Sequence, residues 1–283
     1  MSLDKEFFTR DTNMTNEKYF NNVDRKNFKG VVCNSVNGGS FVITDYYDRN
    51  CVAIEFLDTK SVKFISMKQI REGYVKDVFA PSVQGIGIFG DKYPAYYKDD
   101  DGKRLPYYEY TLWSNMLQRC YNNKFSEKRK SYDGCVTSEN FNYYPYFKEW
   151  CNKQVGFNCV DDKGKPFSLD KDILVKGNKV YSENNCCFVP SEINVAFTKS
   201  NATRGKYPIG VSWNKGRKSF VAQVCLSSHN QTHLGYFKTV EEAFHAYKEA
   251  KESCIKELAY KYHHQIDVRA YNALMNYRVE ETD

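Results

Sequence analysis

Two neighbouring stretches decide the fold of the C-terminal third: YPIGVSWNKGRKSFVAQV at 207–224 and HLGYFKTVEEAFHAYKEA at 233–250. Apolar and polar residues alternate through IGVSWNK, KSFVAQVCLS and HLGYF, with short polar turns between them, which predicts three antiparallel strands. Thr239-Val-Glu-Glu242 then has the form of a capping box, in which the threonine and the glutamate three residues on satisfy each other's backbone N–H groups. Behind it Val240, Ala243, Phe244, Tyr247, Ala250, Cys254 and Leu258 keep helical spacing, while Glu252–Lys256 and Glu257–Lys261 add i,i+4 pairs on the other face. The expected unit is a three-stranded sheet packed on one helix, with a further short helix around 266–277.

Charge points to the partner of this unit. From Ile193 to Thr239 there is no Asp or Glu, but there are seven cations: Lys199, Arg204, Lys206, Lys215, Arg217, Lys218 and Lys238. The whole chain of 283 residues carries only +6, and residues 1–100 balance 14 basic against 14 acidic side chains. A like-charged stretch repels itself unless a polyanion relieves it, so double-stranded DNA is the expected partner. A sheet backed by one helix leaves a face uncovered. Trp213, Lys215, Arg217, Lys218 and Gln223, with Arg204 and Lys206 just ahead, are the candidate DNA-binding residues there.

The same residues resemble the ethylene-response-factor type DNA-binding domain, best known in plants and also found in phage homing-endonuclease-like proteins. Gly210-Val211, Phe220 before Val221-Ala222, Leu234-Gly235-x-Phe237 and Thr239-x-Glu241-Glu242-Ala243-x-x-Ala246-Tyr247 match its pattern, and Phe220 stands where the family usually has Trp. The resemblance implies that the sheet enters the major groove, with turn cations on phosphates and strand Gln or Arg at base edges.

The middle of the chain changes character. YTLWSNMLQRCYN at 110–122 places Leu112, Trp113, Met116, Leu117 and Cys120 on one helical face, and a second short helix is expected from Pro145. FSLDKDILVKGNKVYSENNCCFVPSEIN at 167–194 reads as strand, turn at Gly177-Asn178, strand and helix. Together with TLWSNMLQRCYNN and SYDGCVTSENFNYYPYFKEW upstream, it resembles a phage variant of the ββα-metal (HNH) nucleases. That resemblance implies Asp170 as a metal-ligand aspartate, Asn185 as the helix-start asparagine and second ligand, Asp172 as a further carboxylate, and Mg2+ or Mn2+ as the ion, since the donors are hard oxygens.

One position departs from the pattern. Lys171 stands where the family has its general-base His, and all five histidines (His229, His233, His245, His263, His264) fall in or after the sheet–helix module. A lysine with the reference pKa of about 10.4 is almost wholly charged at neutral pH, so it would hold a scissile phosphate rather than take a proton. Two readings stay open: a metal-dependent endonuclease with Asp170, Lys171, Asp172 and Asn185 as its catalytic set, or a DNA-binding regulator that keeps the nuclease fold without the activity.

At the N-terminus KGVVCNSV, SFVITDYY, CVAIEFLDT and SVKFISM alternate clearly at Phe41, Ile43, Val52, Ile54 and Phe56, which predicts a small antiparallel β barrel ending near Val78. Tyr46, Tyr47 and Tyr74 are read as core or turn packing. The fold class is therefore α+β, in four pieces: an accessory barrel domain over 1–80, a linker over 81–108, a nuclease-like ββα unit with flanking helices over 109–200, and the sheet–helix module over 201–283. The ten cysteines contain no C-x-x-C pair and read as reduced, mostly buried thiols, with a structural zinc held by Cys120, Cys135 and Cys186 as the alternative. A mean hydropathy of −0.67, no apolar run of the length a span needs and a polar start predict a cytoplasmic protein with no membrane partner.

Overall fold

A computed structural model describes residues 28–197, 205–227 and 230–281. The chain forms two compact units, one running to Pro94 and including Tyr143–Pro145, the other comprising Ala95–Asn142 and the residues from Tyr146 on. No helix among the described residues is long and apolar enough to cross a membrane.

The first unit is built on β1 (Val32–Asn34), β2 (Ser40–Asp48), β3 (Cys51–Phe56) and β4 (Val62–Ile65), an antiparallel meander in sequence order. The alternation seen in the sequence sets its buried face: Phe41, Ile43, Val52, Ile54 and Phe56 are all at most 2% exposed. The expected barrel does not form. β1 and β4 remain the two edges of an open sheet, and the core is instead closed by α1 (Met67–Glu72), which contributes Met67 and Ile70, together with Phe28, Val31 and Val75. Four strands bury one face only, and a helix over that face removes the need for closure. The strand pattern does not announce this helix, whose signal is Ser66-x-x-Gln69, a capping box that both side chains complete. Tyr46 packs edge-on to Phe28 at 5.5 Å, whereas Tyr47 and Tyr74 are exposed. A short hairpin, β5 (Pro81–Val83) and β6 (Gly87–Ile88), follows.

The second unit opens with another hairpin, β7 (Tyr96–Lys98) and β8 (Arg104–Pro106), so the stretch read as a linker is ordered into two small ladders. Then come α2 (Tyr108–Tyr121), which buries Trp113, Met116 and Leu117 as its spacing predicts, α3 (Asn123–Lys128), β9 (Val136–Thr137) and α4 (Tyr144–Cys151). β10 (Ser168–Asp170), β11 (Val180–Tyr181), β12 (Cys187–Val189) and α5 (Ser191–Ala196) make the ββα stretch. Its pairing differs from the expected hairpin. β10 pairs antiparallel with β12, and β11 pairs in parallel with β9, so Gly177-Asn178 turns the chain without joining two partners.

The C-terminal module has the expected topology: β13 (Val211–Asn214), β14 (Ser219–Ser227) and β15 (Asn230–Phe237), antiparallel in sequence order, then α6 (Val240–Tyr262) and α7 (Val268–Met275). Thr239 and Glu242 complete the capping box of α6. Val211, Phe220, Ala222, Val224, Leu234 and Phe237 face Ala243, Phe244, Tyr247 and Ala250 of the helix. Gly210, at φ +77°, lies flat against the Tyr247 ring, and a Cβ there would overlap the ring atoms. Backbone strain and overlap act together. Gly210→Ala is expected to destabilise this module by about 3 kcal/mol or more, read as a lowered urea midpoint of the full chain.

Candidate functional site

Strand alternation assigns the sheet residues to faces. Trp213 is the register partner of Phe220, which faces α6, so Trp213 stands at the rim of the helix-side face, edge-on to Phe220 at 4.8 Å. The opposite face carries Ser212, Gln223, Gln231, His233 and Tyr236. A bulge at Leu234 keeps His233 and Tyr236 on the same side, with ring centroids 4.7 Å apart. Gln231 Nε2 donates to Gln223 Oε1 at 3.2 Å, and the Arg217 guanidinium lies 4.3 Å over the Tyr236 ring. The turn that supplies Arg217 is fixed by Asn214, whose Oδ1 accepts from the Arg217 backbone N–H at 2.9 Å. Lys215 and Lys218 project from the same turn and are exposed, as is Lys206, 5.1 Å from the Tyr207 ring. Arg204 lies outside the described residues. Tyr236, His233 and Gln231 were not among the sequence candidates; the signal was their alternation on β15, broken by a bulge that sequence alone does not locate.

The ββα stretch gathers its candidates around a residue read only as a turn former. Asn178 Nδ2 donates to the carbonyls of Lys171 (2.7 Å) and Val180 (2.8 Å), and its Oδ1 accepts from Asn185 Nδ2 at 3.2 Å. Its own carbonyl accepts from Lys171 Nζ at 3.1 Å. Lys171 is only 5% exposed; its ammonium also bonds Asp172 Oδ2 at 3.2 Å and lies 5.8 Å from the Tyr181 ring. Asp170 ends β10, and its Oδ1 accepts from the backbone N–H groups of Asp172 and Ile173, both at 2.9 Å. Burial, then the charge of Asp172, raise the Asp170 carboxyl to about 6. Asn185 does not start a helix. It sits in the turn before β12, because Cys187-Phe188-Val189 is an apolar run that pairs with β10, and α5 begins only at Ser191.

Of the donors that the nuclease resemblance gives a divalent ion, Asp172 Oδ2 accepts from the Lys171 ammonium and Asp170 Oδ1 from two N–H groups, while Asn185 donates its Nδ2 to Asn178. Asn185 Oδ1 and the second Asp170 oxygen are the atoms that would hold the ion. Among the described residues no group of three or more His, Cys, Asp or Glu side chains is arranged to hold a metal. Cys120, Cys135 and Cys186 lie around the Lys171 charge, and burial pushes the Cys120 thiol up to about 12 and raises the other two. All ten cysteines include none in a disulfide. Compared with known proteins, the chain matches no family model, no curated protein and no solved structure.

Two outcomes follow from this buried network. Because the Asp170 carboxyl titrates higher in the folded than in the unfolded chain, folding favours its protonated form; its stabilising contribution is full below about pH 4 and lost as pH rises through about 6. Asp170→Asn keeps the acceptor oxygen and removes the charge, so its stability relative to wild type should rise from near zero at about pH 4 to about 2 kcal/mol at about pH 7, after allowance for solvent screening. Urea unfolding across that range checks the trend. Lys171→Ala strips the Asn178 carbonyl and Asp172 of their donor and should destabilise the chain by about 2–3 kcal/mol in the same assay.

Proposed function

We propose that this chain binds duplex DNA through the β13–β15 sheet, with the ββα stretch as a scaffold that supports DNA binding. The observation that carries the reading is the sheet face turned away from α6, where Arg217, Tyr236, His233, Gln223 and Gln231 stand together and exposed or half-buried. No Asp or Glu occurs anywhere from Ile193 to Thr239. A two- or three-stranded ribbon fits a major groove about 12 Å wide, and Arg and Gln are the side chains whose donors match guanine and adenine edges there. The guanidinium of Arg217, resting on Tyr236, is ordered before it meets a base, which lowers the entropy lost on binding. Lys215, Lys218 and Lys206 would hold phosphates. The resemblance to the ethylene-response-factor type domain supports the same face as the reading surface.

A second reading, phosphodiester hydrolysis, is favoured by one observation. A carboxyl raised to about 6 is chemically able to accept a proton from water near neutral pH, and Asp170 has that property in a ββα stretch. The scaffold reading is preferred because the Lys171 ammonium is committed inside the protein to Asp172 and the Asn178 carbonyl rather than open to a phosphate.

Duplex binding by the full chain should weaken steeply with salt. Lys215→Ala and Lys218→Ala should each reduce the slope of log K against log salt by about 1, across all sequences. Arg217→Ala should weaken the preferred sequence by about 1–3 kcal/mol and relax selectivity at one base position, measured by anisotropy against a set of single-base variants. Supercoiled plasmid should stay uncut with magnesium, with manganese and with chelator; nicking abolished by Asp170→Asn would establish the second reading instead.

A further inference from the structure

We infer that the segment from Asn123 to Tyr132 is a second DNA-backbone contact, separate from the sheet and carried by the part of the second unit that precedes the ββα stretch. The inference rests on the reading of the chain as a duplex-DNA binder and adds where the duplex is held beyond the sheet. α3 and the single 3-10 turn after it (Lys130–Tyr132) carry Lys124, Lys128, Arg129 and Lys130 against one carboxylate, Glu127. All four cations are exposed.

Among the described residues, other exposed lysines of this unit, Lys98, Lys103, Lys153, Lys163 and Lys165 among them, also stand outside its ion pairs. What separates these four cations is that they are crowded into seven consecutive positions and none is drawn into the pairs that hold the unit together. Lys148 pairs with Glu109, Lys171 with Asp172, Lys176 with Glu280, Lys248 with Glu252, Lys261 with both Asp162 and Glu192, and Arg269 with Asp267. Among the described residues, Lys124, Lys128, Arg129 and Lys130 have no such partner. Four adjacent positive charges without counter-charges raise the local potential, and a polyanion is the ligand that lowers it.

The segment is also held in place, which a phosphate contact requires. The Asn122 side chain caps α3 by accepting from the Phe125 N–H at 3.1 Å. The rings of Phe125 and Tyr132 lie 5.8 Å apart, with the Arg129 guanidinium 5.4 Å from the first and that of Arg119 5.4 Å from the second. Lys179 Nζ donates to the Ser131 carbonyl at 2.8 Å, and the Val136 N–H donates to the Lys179 carbonyl at 2.9 Å, fastening the segment to the loop that carries Asn178. The cations therefore stand on a fixed ledge. Rigid placement reduces the ordering entropy of a contact, and a second contact on the same body raises affinity for a duplex long enough to reach both.

The test uses the full chain and two duplexes, one of about 12 and one of about 36 base pairs, with the salt dependence of binding measured by anisotropy. Replacing all four cations by glutamine (Lys124→Gln, Lys128→Gln, Arg129→Gln, Lys130→Gln) should weaken binding to the longer duplex about ten- to a hundredfold at moderate salt. The same change should flatten its salt slope by about 3, while the short duplex is bound nearly as before. Exchanging the cations for each other (Lys124→Arg, Lys128→Arg, Arg129→Lys, Lys130→Arg) should preserve both quantities. A glutamine variant with the wild-type slope on the longer duplex overturns this second contact while leaving the sheet reading intact. Equal loss on both duplexes, or equal loss in the cation-exchange variant, overturns it as well, because the effect would then lie in the fold or the sheet. A wild-type chain that binds neither duplex overturns both readings.

Discussion

The second unit depends on one helix being buried along both halves of its length. The first turns of α6 close the core of the β13–β15 sheet, where Tyr247 lies against Gly210, while its last turns bury Ile255, Ala259 and Tyr262. There the Tyr262 ring meets Phe167 edge-on at 5.9 Å, and Lys261 bonds Asp162 at 2.6 Å and Glu192 at 3.0 Å. Asp162 and Phe167 lead into β10, and Glu192 lies in α5. Sheet and ββα stretch are thus two ends of one packed body, although composition and pattern had suggested a boundary near residue 200. A helix of 23 residues is longer than a three-stranded sheet can cover, and its remaining apolar turns must be buried against something else.

That shared body gives the buried network its meaning. An ammonium taken out of water is costly unless its protons are satisfied, and Lys171 meets the requirement with a carboxylate, a carbonyl and an aromatic face. In return it neutralises Asp172 and sits among three thiols that burial keeps protonated. The arrangement gives the β10–β11 loop a fixed shape using covalently attached charge. Asp172 Oδ2 and Asp170 Oδ1 are both engaged by the protein's own N–H and ammonium groups.

What could be read in advance follows from the range of the forces concerned. Strand alternation and the Thr239–Glu242 cap depend on residues a few positions apart, so the sheet meander, the C-terminal sheet and α6 are all visible in the sequence. The open form of the first sheet is not: the alternation suggests a barrel, but Met67 and Ile70 of α1 close the core around Phe41 and Ile54, and α1 is announced only by Ser66 and Gln69. The β10–β12 pairing leaps the sixteen residues from 171 to 186, with Gly177-Asn178 among them, where the nearer strand is the natural expectation. Asn178 itself gave no sign, since an asparagine after a turn glycine is ordinary, and its role as hub arises only when Lys171 and Asn185 fold onto it. On the sheet, Arg217 and Gln223, read from charge and alternation, stand on the face turned away from α6, whereas Trp213 belongs to the other face because it is the register partner of Phe220.

The second unit uses positive charge in two opposed ways, and the contrast bears on what the protein is for. Lys148, Lys171 and Lys261 are matched to carboxylates and hold elements together; for Lys148 and Lys171, which are largely buried, removing the partner would leave an unsatisfied charge within the fold. Lys215, Arg217 and Lys218 on the sheet turn, and Lys124, Lys128, Arg129 and Lys130 beside α3, are exposed. Exposed like charges do not stabilise a fold, and their mutual repulsion opposes it slightly. The two groups of exposed cations occur on short, well-fixed turns: Asn214 pins one and Asn122 with Lys179 pins the other. A surface selected only for solubility has no need of that rigidity. Cations held in position without carboxylate partners are what the proposed contact with a regularly spaced phosphate backbone would use: the fold supplies the position, and the phosphates would supply the counter-charge.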